Sequence, residues 1–370
     1  MKVLFLTNIP SPYRVDFFNE LGKFCDLTVL YELRYASDRD KEWKGNRAKN
    51  FKQVFLNGKR IGSDSSISFS IFKYLKDNSY DLIVIGGYST PTGMMSIFYL
   101  NKIKRDFILN CDGGFIKKDS KIKYLIKKYF IKSAKWWLST GKETTKYLIN
   151  YGADKNRIRV YPFTSISEKD LVIKMIDESE KRSIKNQLGI NEKKIIISVG
   201  QFIYRKGYDV LLKSCKDISK DVGVYIIGGN INEEYRKLKD EYNLDNVHFL
   251  GFKNKEELKK YYKISDLFVL PTREDIWGLV VNEAMAFGLP VITTKKCIAG
   301  LELISDKELL IESENYNELR IAIENVLFNE NLINAIKKKN MKKIEEYTIE
   351  KMAKSHIEIF EEIKNDCKYK

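Results

Sequence analysis

Short apolar, β-branched runs alternate with amphipathic stretches from one end of this chain to the other, and that alternation restricts the fold more than any other feature. The runs are Val3–Leu6, Leu27–Leu30, Leu82–Ile85, Phe107–Leu109 and Trp136–Leu138, then Ile195–Val199, Val224–Ile227, Val247–Leu250, Leu267–Leu270 and Val291–Thr293. Unbroken apolarity suits strands buried on both faces, the condition of parallel strands covered by helices. Helical patterns fill the gaps, at Val15–Leu21, Ile71–Lys76, Ile122–Lys132, Thr144–Tyr151 and Leu258–Ile264. Strand, helix, strand, repeated in two series, predicts an α/β chain of two doubly wound units. A length of 370 residues, more than one ordinary core accommodates, agrees.

The division falls near Tyr161-Pro162-Phe163-Thr164-Ser165-Ile166-Ser167, where a strand over Arg157–Tyr161 meets a proline and a long charged helix begins near Glu168. Residues 1–165 are then one Rossmann-like domain and residues 166–348 a second. The tail from Ile349 to Lys370 is expected to be a helix, apolar at Ile357, Ile359, Phe360 and Ile363, that crosses back to the first domain. Two such domains facing each other leave a central cleft lined by the carboxyl ends of their strands, where sheets of this class bind ligands.

Several function classes fall away. The five cysteines, Cys25, Cys111, Cys215, Cys297 and Cys367, form no CxxC pair, so neither a disulfide framework nor a zinc ribbon is expected. His248 and His356 are too few for a multi-histidine metal site, and both lie in the second half. No run of about 18 apolar residues occurs, and the first apolar run is too short for a signal peptide, so a cytoplasmic protein is expected. A dinucleotide dehydrogenase would carry GxGxxG after its first strand, whereas Asn8-Ile9-Pro10-Ser11-Pro12 holds no glycine. Lys plus Arg number 65 against 50 Asp plus Glu, a net charge of 65 − 50 = +15, which points either to anionic partners or to a Lys-rich compositional bias. Nucleic acid is the weaker partner, since the lysines spread over most helices and no helix-turn-helix or RNP-like motif is present.

The most informative stretch runs Leu270-Pro271-Thr272-Arg273-Glu274-Asp275-Ile276-Trp277-Gly278-Leu279-Val280-Val281-Asn282-Glu283-Ala284-Met285-Ala286-Phe287-Gly288-Leu289-Pro290-Val291-Ile292. A strand ends at Pro271, a loop carries two carboxylates, and Gly278 opens a helix that Gly288-Leu289-Pro290 stops. Glu283 shares a face with Leu279, Val280, Ala286 and Phe287. A carboxylate among apolar neighbours is costly unless satisfied, by a ribose diol or by a nearby backbone amide or lysine. Free amides around Gly278 and Leu279 would attract phosphate or sugar oxygens. A second element, Ser198-Val199-Gly200-Gln201-Phe202-Ile203-Tyr204-Arg205-Lys206-Gly207-Tyr208-Asp209, places adjacent cations at a strand end, either facing a diphosphate or forming an exposed basic turn.

These segments resemble the E-x7-E signature, EAMA-x-G-x-PV run and G-R-x-x-x-x-K-G element of retaining GT-B glycosyltransferases, the family 4 group also called glycosyl transferases group 1. The resemblance covers nearly the whole chain and implies the GT-B fold, a nucleotide-sugar donor with UDP-sugars favoured, and no metal cofactor; no DxD motif stands in a loop suited to one. It implies that Glu283 holds the ribose, that Asp275, with Glu274 beside it, takes the place of the carboxylate on the donor sugar, and that Lys206 and Arg205 neutralise the leaving diphosphate. Here Gln201 stands where the family has its Arg. By the same resemblance Trp277, Gly278 and Leu279 would complete the donor loop, Gly228 would stand where the nucleotide crosses backbone, and the segment near Phe252 would meet the base. Transfer without an enzymic nucleophile implies front-face attack, with Asp112, Asp275 and Lys206 closest to the chemistry.

In the first half, Asn8-Ile9-Pro10-Ser11-Pro12-Tyr13-Arg14 joins the first strand to the first helix, and Pro12 and Arg14 are the acceptor-side candidates, Arg14 for an acceptor phosphate. Asp112 in Asn110-Cys111-Asp112-Gly113-Gly114-Phe115 either orients the acceptor hydroxyl or caps a turn. The basic amphipathic segment Lys117–Lys132 lies on an anionic bilayer or packs on the core with its lysines in water. The expected activity is sugar transfer to a lipid-linked or other glycan acceptor at the inner face of a membrane. A nucleotide-sugar epimerase of the same fold is the rival enzyme, and a basic nucleic-acid-binding protein the rival outside enzymes.

Overall fold

The computed structural model describes residues 1–40, 43, 47–172 and 176–368. The chain forms two compact units, Met1–Ser165 with Tyr347–Lys370, and Ile166–Glu346. Each is a parallel sheet flanked by helices.

Among the described residues the first unit has seven strands in the order Lys52–Phe55, Asp26–Tyr31, Lys2–Thr7, Leu82–Ile85, Ile108–Cys111, Trp136–Ser139 and Ile158–Val160. Every pairing is parallel, with Leu6 opposite Leu30 on one side and Ile85 on the other. A two-stranded antiparallel ribbon, Lys59–Arg60 with Ser66–Ile67, stands apart. The helix Ile349–Lys368 belongs to this unit and packs on the helix Pro12–Leu21. Phe17 and Phe360 are buried, Arg159 Nε lies 2.9 Å from Glu362 Oε2, and Lys364 Nζ lies 3.0 Å from Asp81.

The second unit orders its strands Val247–Leu250, Val222–Ile227, Lys194–Val199, Leu267–Leu270, Val291–Thr294 and Leu310–Ile311, again all parallel. Val222–Ile227 and Leu267–Leu270 are buried throughout, and so are Ile195 to Ser198 between them.

The elements differ from the sequence reading in places. The run at Phe107–Leu109 forms a strand one residue later, Ile108–Cys111. Lys52–Phe55 is a strand that no apolar run announces, because it is half-exposed and pairs with one neighbour. The long helix expected near Glu168 is instead a single 3₁₀ turn, Glu168–Asp170, closed where the Asp170 carboxylate accepts the Ser167 amide at 3.2 Å. Asp170 is in turn held by Lys255 at 2.6 Å and Lys259 at 3.2 Å. An α-helix follows only at Glu178–Leu188, capped by Asp177 and stopped by Gly189. Residues 173–175, within that expected helix, and residues 369–370, at the end of the expected terminal helix, lie outside the described residues.

Candidate active site

Parallel strands put all their carboxyl ends on one edge, and in the second unit that edge gathers most of the donor candidates. The 3₁₀ turn Tyr204–Lys206 is tied to the loop after Leu270 through one carbonyl: Arg205 O accepts from the Arg273 amide at 2.8 Å and the Thr272 hydroxyl at 2.9 Å. This brings both cations onto Asp275. Lys206 Nζ lies 2.5 Å from its Oδ2 and Arg205 Nη1 3.2 Å from its Oδ1, while Arg205 also donates to the Glu274 carbonyl at 2.7 Å. Lys206 and Asp275 are only 8% and 7% exposed, so each charge depends on the other. Two cations share this one carboxylate, with the Arg205 guanidinium still partly in water. Asp275 is fixed along its backbone too, its amide donating to Lys296 O at 2.8 Å.

Gly278 caps the helix Leu279–Ala286 at φ +98°, and a methyl there would stand 2.7 Å from Cys297 Sγ, so the tight turn into the helix requires glycine. Trp277 turns inward: it is buried, its Nε1 donates to Asn282 Oδ1 at 2.8 Å, and its carbonyl accepts the Ala299 amide at 2.8 Å. Burial pushes the Cys297 thiol up to about 12, and as a thiol it donates to the same carbonyl at 3.1 Å. On the helix, Leu279, Val280 and Glu283 form a half-buried face, whereas Ala286 and Phe287, read as its companions, are buried. Tyr262, from the helix Lys255–Ile264, donates to Glu283 Oε2 at 3.2 Å and stacks on Phe287 at 5.3 Å. Burial first, then the Glu283 charge, raises its pKa and keeps the phenol a donor. Gly228 donates to Leu250 O at 3.0 Å, and a methyl on it would run into the Gly200 carbonyl oxygen, so two backbones meet there. A methyl on Gly200 would in turn stand 3.1 Å from Lys206 Cε, which sets this glycine pair beside the cations. Phe252 is half-buried, two residues past the strand Val247–Leu250.

The corresponding edge of the first unit centres on Asp112, just past the strand Ile108–Cys111. Pro12 opens the helix Pro12–Leu21 at its first position, and Arg14 in the first turn pairs with Asp112 Oδ2. Asp112 Oδ1 accepts from Asn110 Nδ2 at 2.8 Å and from the Tyr161 hydroxyl at 3.3 Å. Arg14 is 4% exposed; burial works against its charge, and Asp112, then Tyr13 and Tyr161, outweigh that and raise its pKa. Both histidines lie in the second half of the sequence, yet His356, on Ile349–Lys368, belongs to the first unit. Its ring lies 4.4 Å from Tyr161 and 4.6 Å from Phe17, with Nδ1 2.8 Å from Met352 O. Burial pulls its pKa down to about 4, so it is neutral at pH 7.

Tyr161, Tyr262 and Glu32 escaped the sequence reading. Glu32 follows the strand Asp26–Tyr31 at 2% exposure, accepting from Thr90 Oγ1 at 2.5 Å and from the Ser66 amide at 3.0 Å. Burial pushes its carboxyl up to about 7 against the pull of those hydrogen bonds. Its one signal in the sequence is a charge directly after an apolar strand.

The helix Lys121–Lys132 packs with a lysine inward. Lys127 Nζ lies 2.8 Å from Asp119 and 4.9 Å from the Tyr151 ring centre, and Ile131 is the buried apolar residue. Ile122, Leu125, Ile126 and Tyr129 are 46–73% exposed. Packing on the core with only lysines in water is therefore not its arrangement. Among the described residues no helix is long and apolar enough to cross a membrane.

The family model described as "Glycosyl transferases group 1" matches residues 180–343. A Klebsiella pneumoniae protein described as an uncharacterized 41.2 kDa protein in the cps region is 30% identical over 278 residues, covering 71% of this chain and 74% of that one. An uncharacterized glycosyltransferase of Methanocaldococcus jannaschii is 26% identical over 383 residues, with 98% and 99% covered. Among solved structures, Anabaena HepE in complex with UDP superposes with a TM-score of 0.78 at 15% identity, covering 100% of both chains, which is a likeness of fold.

Proposed function

The chain belongs to the glycosyl transferases group 1 family, and from that premise we propose that it transfers a hexose or N-acetylhexosamine from a UDP-sugar to a hydroxyl of a glycan or lipid-linked acceptor in surface-polysaccharide assembly. That it is a hexosyltransferase of two Rossmann-like, GT-B-type units follows from the family. The cps region in the Klebsiella relative's description supports the polysaccharide setting, and the UDP in the HepE title supports the donor.

The observation that carries the reading is the pair of cations bridged on Asp275, one loop away from a glutamate held by a buried tyrosine. A diphosphate needs adjacent cations, and a ribose diol needs a carboxylate acceptor; both sit at the strand ends of one sheet. In this reading Arg205 and Lys206 take the diphosphate without a metal, Glu283 the ribose, and Phe252 the base. The backbone at Gly228, Gly278 and Leu279 approaches phosphate and sugar, Asp275 and Glu274 meet the sugar hydroxyls, and Trp277 holds their loop from within. Asp112, held by Arg14, orients the acceptor hydroxyl; Pro12 starts the helix that carries Arg14. The reaction is front-face and retaining: the acceptor hydroxyl attacks the anomeric carbon as the bond to the diphosphate breaks, and its proton passes to the leaving phosphate oxygen. The exposed face of Lys121–Lys132, ringed by lysines from Lys117 onward, rests on anionic lipid at the cytoplasmic side.

Calorimetric titration with UDP, GDP and ADP tests the donor. Saturable binding of UDP, lost in Glu283→Ala with the fold intact, is expected; no nucleotide binding by folded protein would overturn the reading.

A further inference from the structure

The charge pair on the first unit's edge restricts which acceptors can reach it, an argument that rests on Asp112 being the acceptor-side group. Arg14 is the one cation of this cluster, and among the described residues its guanidinium is hydrogen-bonded to Asp112 alone. The two members are not equally placed. The Arg14 side chain is 5% exposed and that of Asp112 22%, so the carboxylate faces outward and the guanidinium stands behind it. Among the described residues, the side chains that hydrogen-bond to Asp112 besides Arg14 are uncharged, Asn110 and Tyr161, while Tyr31 keeps a protonated phenol near Arg14 and His356 is neutral at pH 7. The sum is 1 − 1 = 0, with the negative member in front.

Such an edge attracts hydroxyl donors and repels anions. An arginine that recognises phosphate offers its planar fork to it, and here that fork is already turned to a carboxylate. A phosphate would have to approach past the Asp112 charge in a partly desolvated place, where like charges repel most strongly. His356 offers no rescue, because burial keeps it from gaining a proton near neutrality. We infer that the acceptor group reaching Asp112 is an uncharged, hydroxyl-bearing sugar, and that the Arg14–Asp112 pair excludes phosphorylated sugars from this position. Arg14 thus acts through Asp112 as a positioning residue and not as a phosphate ligand.

Two measurements test this. In the first, the wild-type enzyme is given a methyl hexopyranoside and the 6-phosphate of the same hexose, each with the UDP-sugar it uses. The phosphate ester is expected to be worse in kcat/KM by at least about tenfold; an equal or better phosphate ester overturns the inference. In the second, inorganic phosphate is titrated at fixed ionic strength into wild type, Asp112→Asn and the double variant Arg14→Gln/Asp112→Asn. Binding at the Arg205–Lys206 edge is common to all three and cancels. Asp112→Asn is expected to gain about tenfold in phosphate affinity and the double variant to lose that gain. No gain in folded Asp112→Asn overturns the inference, and if that variant does not fold, the acceptor comparison on wild type still decides. The phosphate titration needs no turnover, so a gain found in a protein that binds no nucleotide would sink the transferase reading and leave the charge argument standing.

Discussion

Replacing Glu32 by Gln should remove a pH dependence built into the first unit. Burial raises the Glu32 carboxyl from 4.5 to about 7, so the folded protein holds this proton when the unfolded chain has released it. Stability from that proton is complete below pH 4.5 and is lost as the pH rises through 7. At 1.36 kcal/mol per pKa unit, the whole effect is about 3 kcal/mol, and most of it falls between pH 5 and pH 8. Glutamine keeps the shape without the charge, and its amide can accept from the Ser66 amide while donating to Thr90 Oγ1. Imperfect hydrogen bonds cost the variant about 1 kcal/mol at every pH. Glu32→Gln should therefore be slightly less stable than wild type at pH 5 and more stable at pH 8. Asp64, whose charge adds to the rise at Glu32, is present in both proteins and cancels in the comparison. Melting temperatures at pH 5, 6, 7 and 8 are the assay, and for a unit of this size the difference should swing by about 5–10 °C. A difference that stays constant across that range would refute the argument.

Tyr262→Phe should weaken UDP binding about tenfold by calorimetry, since Glu283 loses a charge-assisted hydrogen bond, and unchanged affinity would detach Tyr262 from the site. Lys206→Met leaves Asp275 buried with Arg205 alone and should cost about 3 kcal/mol in chemical denaturation; Lys206→Met/Asp275→Asn should recover part of it, and simple additivity would deny the coupling. Leu125→Ser/Ile126→Ser should abolish sedimentation with vesicles rich in phosphatidylglycerol while shifting stability by no more than about 0.5 kcal/mol, because both residues are exposed. Undiminished sedimentation would remove that face from membrane contact.

Strands were legible where burial is two-sided: Ile195–Val199 and Leu267–Leu270 are continuous apolar runs because helices cover both faces of the sheet. Lys52–Phe55 was not, since this edge strand is half-exposed along its length and looks like loop. The donor-side candidates came from residues close in sequence, and the structure ties two such segments together through the Arg205 carbonyl, a contact no local pattern reveals. The partners that hold charged groups were invisible for the same reason. Tyr262 lies 21 residues before Glu283 and Tyr161 lies 49 after Asp112, distances at which spacing carries no information. His356 stands far along the sequence from the first domain, and only the packing of the last helix brings its ring to Tyr161 and Phe17.

The terminal helix has a consequence for how the protein is made. Its residues follow Ile166–Glu346 in the chain yet cover Phe17 and Tyr161, which emerge from the ribosome long before. The second unit is continuous and can fold as soon as its own residues are out. The first must wait, its hydrophobic flank bare, until a helix synthesised after the whole second unit arrives to cover it. Translation speed through residues 166–346 thus sets how long the nascent chain stays open to chaperones, and a stop just after Glu346 would leave the second unit whole and damage the N-terminal one.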